Sequence, residues 1–167
     1  MTKLAAINVD SILAPRFGRG WHCLGDAADY RDGQLHTLNI FGTRLLAFAT
    51  ASGEISVIDA HCPHMGVDLS QGTLENDRVV CPFHHWQYDA SGKCVEIPYC
   101  KRIPPKAKTR RWLTCEENNL LFVWNNPEGK APADNVVIPH LPEQDSDEWL
   151  HDWHMDKLVI ETNPREL

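Results

Sequence analysis

Two short groups of cysteine and histidine are the residues whose types and spacing suit metal chemistry. Cys62 and His64 form a Cys-x-His motif, Cys81 and His84 form a Cys-x-x-His motif, and 16 residues separate the two motifs. Thiolate sulfur and imidazole nitrogen are the donors that zinc and iron–sulfur clusters use in proteins. Each motif sits at the end of a predicted strand, so a loop there can present both donors to one point.

Two metal groups are consistent with this donor set, a single zinc ion or a two-iron cluster. Structural zinc sites usually group like ligands within each motif, as two cysteines and then two histidines. Here each motif contributes one cysteine and one histidine, which fits a [2Fe–2S] cluster better, with both cysteines on one iron and both histidines on the other. Neutral imidazoles leave the oxidised cluster without net charge, which raises its reduction potential into a range of roughly −150 to +300 mV.

Length and charge limit the function classes. The chain has 167 residues, enough for one well-buried domain and a tail, and its net charge of −7 argues against a nucleic-acid partner. The first ten residues lack the apolar core of a signal peptide, and no run approaches the roughly 20 apolar residues of a membrane span. We therefore expect a cytoplasmic protein without a membrane partner, whose cysteines are metal ligands or free thiols rather than disulfides.

The elements that must position the donors are predicted to be strands. Residues 34–40 alternate polar and apolar side chains, and residues 44–49 and 55–58 flank a Ser-Gly turn as a hairpin. A second hairpin is predicted from residues 111–115 and 120–124 around a turn at 116–119. No stretch of this region keeps a helical apolar period for three turns. The predicted class is all-β, an antiparallel sandwich or barrel with a two-loop cluster-binding subdomain.

The sequence divides into three predicted segments. Residues 1–125 form the all-β domain, and residues 126–157 form a linker rich in proline and acidic residues. Residues 158–167 include one more apolar run, Leu158–Thr162, that suggests a strand with no partner after it. We expect this last segment to be a C-terminal strand or the start of a missing catalytic domain.

The segments Cys62–Gly66 and Cys81–Trp86 resemble the Rieske domain of ring-hydroxylating oxygenase α-subunits. Flanking segments such as Gly20–Leu24 and Asp68–Gly72 are similar to the oxygenase component of 3-ketosteroid 9α-hydroxylase and to cholesterol 7-desaturases, and the resemblance covers about residues 17 to 165. It implies a Rieske [2Fe–2S] cluster and one-electron transfer. It also implies a flavin-containing reductase or a ferredoxin as donor, and a mononuclear Fe(II) in an oxygenase catalytic domain as acceptor.

The resemblance assigns the cluster ligands to Cys62, His64, Cys81 and His84, and assigns no catalytic residue to this chain. In the family the mononuclear iron ligands lie downstream of the segment that ends this sequence. The remaining candidates after the all-β domain have no support as iron ligands from the resemblance; they are His140, His151, Asp152, His154 and Asp156. Two alternatives stay open, a stand-alone Rieske ferredoxin that serves a separate oxygenase and a structural zinc module.

The resemblance also separates this chain from the respiratory bc-type branch. Positions that there hold two disulfide-forming cysteines and a serine bonded to the cluster here hold Val67, Phe83 and Trp86. A low potential within the Rieske range is therefore expected, because hydrogen bonds to sulfur stabilise the reduced form.

Weaker signals surround the ligand motifs. The run 101–111 contains six basic residues that suit an acidic redox partner, although a solvated loop or an interdomain contact explains them equally well. Residues 97–105, rich in proline, suit a cover over the cluster or an ordinary connection. His85 is predicted to be a partly exposed loop residue, and the tryptophans at 21, 86, 112 and 124 to belong to the core.

Overall fold

Ten strands in three antiparallel sheets make up the part of the chain that the computed structural model describes, residues 17–149 and 153–154. The strands are β1 (Gly20–Asp26), β2 (His36–Ile40), β3 (Thr43–Ala49), β4 (Ile55–Asp59), β5 (Thr73–Glu75), β6 (Arg78–Val80), β7 (Gln87–Tyr88), β8 (Cys94–Glu96), β9 (Thr114–Glu117) and β10 (Leu120–Asn125). Their orders are β1-β10-β9, β2-β3-β4 and β5-β6-β7-β8. Only short 3-10 helices accompany these strands in the described residues, which confirms the all-β prediction.

The two predicted hairpins differ in how well their boundaries were placed. β3 and β4 pair as predicted, with Leu46 opposite Ile58. The β9–β10 hairpin exists, but residues 111–113 are not in its strand, and the glutamates predicted to form the turn lie in β9. The turn is Asn118-Asn119, with φ of 54° and 63°. A tight hairpin turn of this kind needs positive φ at both central residues, which asparagine tolerates better than glutamate.

Two apolar clusters fill the interior, and the cysteines of both predicted ligand motifs belong to the same cluster. Cys62 and Cys81 pack with Leu69, Val79 and Tyr88, all of which are buried. The second cluster lies between the sheets β2-β3-β4 and β1-β10-β9 and includes Leu45, Val57, Trp112, Leu121 and Val123. The ligand loops are therefore attached to a packed core, which limits their movement.

Three of the four tryptophans predicted to be core residues are buried. Trp86, Trp112 and Trp124 are buried, while Trp21 is half-buried and contacts Trp124 edge to face, with ring centroids 5.3 Å apart.

The proline-rich segment after β10 runs along the sheet β1-β10-β9 without forming a strand up to residue 149. The indole of Trp21 donates to the carbonyl of Val136 (2.9 Å), and the indole of Trp124 donates to that of Lys130 (2.8 Å). Asn118 donates its side-chain amide to the carbonyl of Pro139 (2.8 Å). These bonds hold the segment in place, and the predicted domain boundary at 125/126 stays a prediction.

Several predictions concern residues that the structure does not describe. The predicted strand Leu158–Thr162 and the candidates His151, Asp152 and Asp156 lie outside the described residues. Within the described residues, no helix is long and apolar enough to cross a membrane.

Candidate metal centre

The two loops that carry the predicted ligands are closed by the same pair of backbone hydrogen bonds. In the first loop, the N–H of Cys62 donates to the carbonyl of Val67 (2.8 Å), and the N–H of Gly66 donates back to Cys62 (2.8 Å). In the second loop, the N–H of Cys81 donates to Trp86 (2.9 Å), and the N–H of His85 donates back to Cys81 (3.0 Å). The loops therefore share one backbone frame, although the cysteine-to-histidine spacing differs by one residue.

The shared frame places one residue of each loop in the left-handed backbone region. Gly66 has φ of 74°, and His85, at the equivalent position four residues after its cysteine, has φ of 56°. Glycine adopts this conformation freely, whereas a residue with a Cβ is strained by about 1 to 2 kcal/mol. His85 is exposed, as predicted.

Polar contacts fix the first loop to the rest of the domain. An isolated bridge joins Asp68 to His61, and the Asp68 carboxylate accepts bonds from the Ser70 hydroxyl (2.7 Å) and N–H (3.0 Å). The guanidinium of Arg44 also pairs with Asp68. Partial burial opposes ionisation of Asp68, but the bonds from Ser70 and Arg44 outweigh it and lower the pKa of the carboxyl.

The exit of the first loop packs directly against the strand that leads into the second. A Cβ added to Gly72 would lie 2.0 Å from the carbonyl oxygen of Val80, the residue before Cys81. No side chain fits at that distance, so only glycine allows this approach. The contact sets the spacing between the two ligand loops.

Both thiols are buried and close to each other. Cys62 and Cys81 are each 2% exposed. Burial is the main reason why the pKa of the Cys81 thiol is raised, and the neighbouring Cys62 adds to the shift. The backbone N–H groups of Phe83 and His84 oppose it, because they donate to the Cys81 sulfur and favour its thiolate.

A buried tyrosine contacts one of the two sulfurs. The hydroxyl of Tyr88 lies 3.1 Å from Cys62 Sγ and donates to it when the cysteine is a thiolate. Tyr88 is fully buried, and burial followed by the nearby thiols raises its pKa far above the ordinary value. The hydroxyl therefore stays protonated and remains a donor.

The two predicted histidine ligands also form a pair, on the more exposed side of the site. The rings of His64 and His84 have centroids 4.7 Å apart. Trp86 stacks on His64 at 4.4 Å with the ring planes only 7° apart, and its indole N–H donates to the hydroxyl of Tyr99 at 2.6 Å. Phe83 lies 4.0 Å from His84, centroid to centroid. These aromatic rings restrict the orientation of both imidazoles.

The donors thus form two like pairs, thiol beside thiol and imidazole beside imidazole. This donor chemistry fits a two-iron group in which each iron takes one pair. Within residues 17–149 and 153–154, no three His, Cys, Asp or Glu side chains form a group arranged to hold one metal ion. All six cysteines are free thiols. The ligand assignment itself stays a prediction.

His140, which the resemblance does not support as an iron ligand, forms hydrogen bonds with two carboxylates. His140 lies beside the β9–β10 turn, where Nδ1 bonds Glu117 (2.8 Å) and Nε2 bonds Asp145 (2.9 Å). Both carboxylates raise the pKa of His140, and the hydrogen bond that its Nδ1–H donates to Glu117 contributes most.

Sequence reasoning missed the tyrosines of the site. No role for Tyr88 was predicted from the sequence, although it lies seven residues after Cys81 in a strand that leaves the ligand loop. Its burial on the same side as the cysteines follows from strand alternation, because Gln87 is only half-buried and Tyr88 faces the core. Tyr99 belonged to the predicted proline-rich cover, and its bond to Trp86 supports the cover interpretation.

Two family models match the chain. The Rieske [2Fe-2S] domain model matches residues 20–115, which include both ligand loops. The model of the 3-ketosteroid 9alpha-hydroxylase C-terminal domain matches residues 123–167.

Curated relatives agree with both matches. A 3-ketosteroid-9-alpha-monooxygenase oxygenase component of Rhodococcus rhodochrous is 47% identical over 100% of this chain and 44% of that protein. One of Mycobacterium tuberculosis is 48% identical over 89% of this chain and 38% of that protein. Cholesterol 7-desaturase nvd 1 of Ciona intestinalis is 43% identical over 78% of this chain and 28% of that protein. The chain spans less than half the length of these relatives.

Solved structures agree in fold. Dicamba monooxygenase with non-heme iron and dicamba superposes with a TM-score of 0.68 at 24% identity, over 77% of this chain and 39% of that one. An apo form of dicamba monooxygenase gives a TM-score of 0.64 at 25% identity, over 72% of this chain and 37% of that one.

Proposed function

Because the chain belongs to the Rieske [2Fe-2S] domain family, we propose that it passes single electrons within a steroid-type oxygenase. The electron is received from a flavin-containing reductase or a ferredoxin. It is delivered to a mononuclear iron in a catalytic domain outside this chain. The observation that supports the proposal most directly is that the two loops bring together two buried thiols and, as a separate pair, two imidazoles.

The proposed ligands are Cys62 and Cys81 for one iron and His64 and His84 for the other. When bound at these residues, the [2Fe–2S] group would supply a one-electron redox centre. The protein keeps the sulfur side dry, since both cysteines are buried. The hydroxyl of Tyr88 compensates negative charge on Cys62.

The histidine side is the proposed route of exit, because it is the exposed side. His64 is exposed and His84 half-buried, and three exposed apolar residues surround them: Met65 (64%), Phe83 (55%) and Tyr99 (63%). Such a patch suits contact with another protein surface, where it excludes water from the gap that the electron crosses.

The test is spectroscopic and uses the chain as expressed. We expect a coloured protein with about two irons and two acid-labile sulfides per chain, and a rhombic EPR signal after reduction by dithionite. A colourless protein with stoichiometric zinc would contradict the proposal and favour the structural zinc module.

Matched variants test the ligand assignment. Cys62→Ser and His84→Ala should lose the EPR signal, whereas Cys23→Ser and His140→Ala, at exposed positions away from the loops, should keep it. Equal signal loss in both groups would mean that the substitutions act through folding rather than ligation. A stand-alone ferredoxin would pass all of these tests. Catalytic iron ligands encoded in the gene after codon 167 would identify an oxygenase, and their absence there would identify a stand-alone ferredoxin.

A further inference from the structure

A positive surface without carboxylate partners among the described residues is formed by the loop between β8 and β9 together with Lys93, which precedes β8 and bridges Lys108. We propose that this surface, which we call the basic edge, docks the acidic face of the one-electron donor protein. The basic edge consists of Lys93, Lys101, Arg102, Lys106 and Lys108, all exposed. The inference rests on the proposed function, because it names the partner class of the same electron-transfer site.

Within the described residues, the cations of the basic edge form no ion pair, whereas most of the other arginines do. Elsewhere, arginines bond carboxylates; the pairs are Arg19–Glu128, Arg31–Glu116, Arg44–Asp68, Arg78–Glu96 and Arg111–Glu54. In the described part of the chain, no ion pair involves a residue of the basic edge. Carboxylates are abundant in this protein, with 23 Asp and Glu against 16 Lys and Arg. The unpaired cations are therefore not the result of a shortage of acidic residues.

Two of these cations are placed opposite each other. Lys93 and Lys108 are partners in an isolated antiparallel bridge. Like charges at directly opposite positions destabilise a pair of strands. Fold stability alone would favour replacement of either lysine by a neutral or acidic residue. The cost is explained if the positive charge serves binding.

The loop that carries the basic edge is seated firmly on the β7–β8 hairpin. The N–H of Cys94 donates to the carbonyl of Ala107 (2.9 Å), and Ala107 is buried. A Cβ added to Gly92 would lie 2.5 Å from the carbonyl oxygen of Thr109, so the backbones approach too closely for any other residue. A partner that binds here does not have to order the loop first, which reduces the entropic cost of docking.

The basic edge is continuous with the ligand loops. Lys101 follows Tyr99 by two residues, and the hydroxyl of Tyr99 accepts the bond from Trp86, which stacks on His64. A donor protein bound to the edge therefore contacts the segment that covers the proposed iron ligands. One electron passes, the donor is oxidised by one electron and this chain is reduced by one, and no atom is transferred.

The structure excludes two residues of the basic run 101–111 from the basic edge. Arg110 lies over the ring of Trp112 at 3.8 Å, and Arg111 pairs with Glu54 at 2.6 Å. These two arginines are engaged within the protein and are not part of the edge. Lys93, which lies outside the sequence run, joins it through its bridge to Lys108.

The experiment measures the reduction rate of the chain by stopped flow, with a reduced plant-type [2Fe–2S] ferredoxin as the acidic donor. Such ferredoxins have lower potentials than Rieske centres, so the electron moves downhill. With the unaltered chain, the second-order rate constant should fall at least tenfold between about 20 and 500 mM salt, because salt screens the attraction between exposed charges.

The test variant is the double substitution Lys101→Glu with Lys106→Glu. Its rate at low salt should be at least tenfold lower than that of the unaltered chain, and nearly independent of salt. The matched control is Arg19→Glu with Arg31→Glu, which changes the net charge equally at exposed sites away from the edge. The control should keep its rate within about twofold, because its substitutions lie outside the proposed docking surface. The fold should tolerate them, since exposed ion pairs contribute little to stability.

The EPR signal after dithionite and the rate of reduction by ferredoxin together separate failure of the docking inference from failure of the proposed function. If the unaltered chain shows no EPR signal after dithionite, the proposed function itself fails. If all variants are reduced by dithionite and the test variant reacts with ferredoxin as fast as the control, only the docking inference is overturned. Binding of the edge to phosphatidylserine vesicles or to RNA, with an unchanged ferredoxin rate, would also overturn it.

Discussion

Replacing Tyr88 by Phe should lower the reduction potential of the centre by several tens of millivolts. The substitution removes one hydroxyl, 3.1 Å from Cys62 Sγ, and keeps the buried ring that fills the core. A hydrogen bond to a neutral group is worth about 1 kcal/mol and one to a charged group about 1.5 to 3. Because the oxidised centre is neutral overall and the reduced centre carries a negative charge, the added electron should strengthen this bond by about 1 kcal/mol. For a one-electron couple, in which about 59 mV is a tenfold change, that difference lowers the potential by about 45 mV.

Potentiometric titration followed by visible absorbance or EPR measures this shift. The control is Tyr30→Phe, which removes another buried hydroxyl, bonded to the carbonyl of Leu24 at 2.8 Å in the other apolar cluster. Both variants should lose about 1 kcal/mol of unfolding free energy, but only Tyr88→Phe should change the potential. A shift below about 15 mV, a positive shift, or an equal shift in both variants would refute the role assigned to Tyr88.

Two further predictions concern stability. Gly72→Ala should destabilise the fold by more than about 3 kcal/mol, because its Cβ would overlap a carbonyl, whereas Gly33→Ala, with φ of 75° and open space, should cost only about 1 to 2 kcal/mol in urea unfolding. Equal costs would contradict the close approach. His140 has a raised pKa in the folded protein, so its pairing with Glu117 and Asp145 stabilises at pH below the unfolded value of about 6.5 and is lost as pH rises through the folded value. The Tm difference between the unaltered chain and His140→Gln should be present at pH 5.5 and absent at pH 8.5; a difference that does not vary with pH would refute it.

The ligand motifs and the strand class could be predicted because they depend on short-range patterns. The donor types and their spacing already favoured a two-iron group. Strand alternation placed β2, and the Ser-Gly turn placed β3 and β4, nearly at their observed bounds. The predicted cluster ligands are local in sequence, since each loop carries one cysteine and one histidine.

The supporting contacts could not be predicted because they join residues far apart in sequence. The bond between Trp86 and Tyr99 depends on how the loop after β8 folds back. The contact of Gly72 with Val80 depends on the register of β5 and β6, which no pattern of single residues specifies. The predicted β9–β10 turn contained the observed one but was two residues too long, because within it only the two asparagines adopt positive φ.

The left-handed residues of the two loops link these observations to one another. Gly66 and His85 occupy equivalent positions, and each closes its loop with an N–H bond to the preceding cysteine. The extra residue in the second motif is thus accommodated between cysteine and histidine, inside a frame of constant length. The cysteines are fixed by this frame at the buried end, while the histidines, one residue different in spacing, emerge at the exposed end. The two loops can therefore bring Cys62 close to Cys81 and His64 close to His84 despite the difference in spacing.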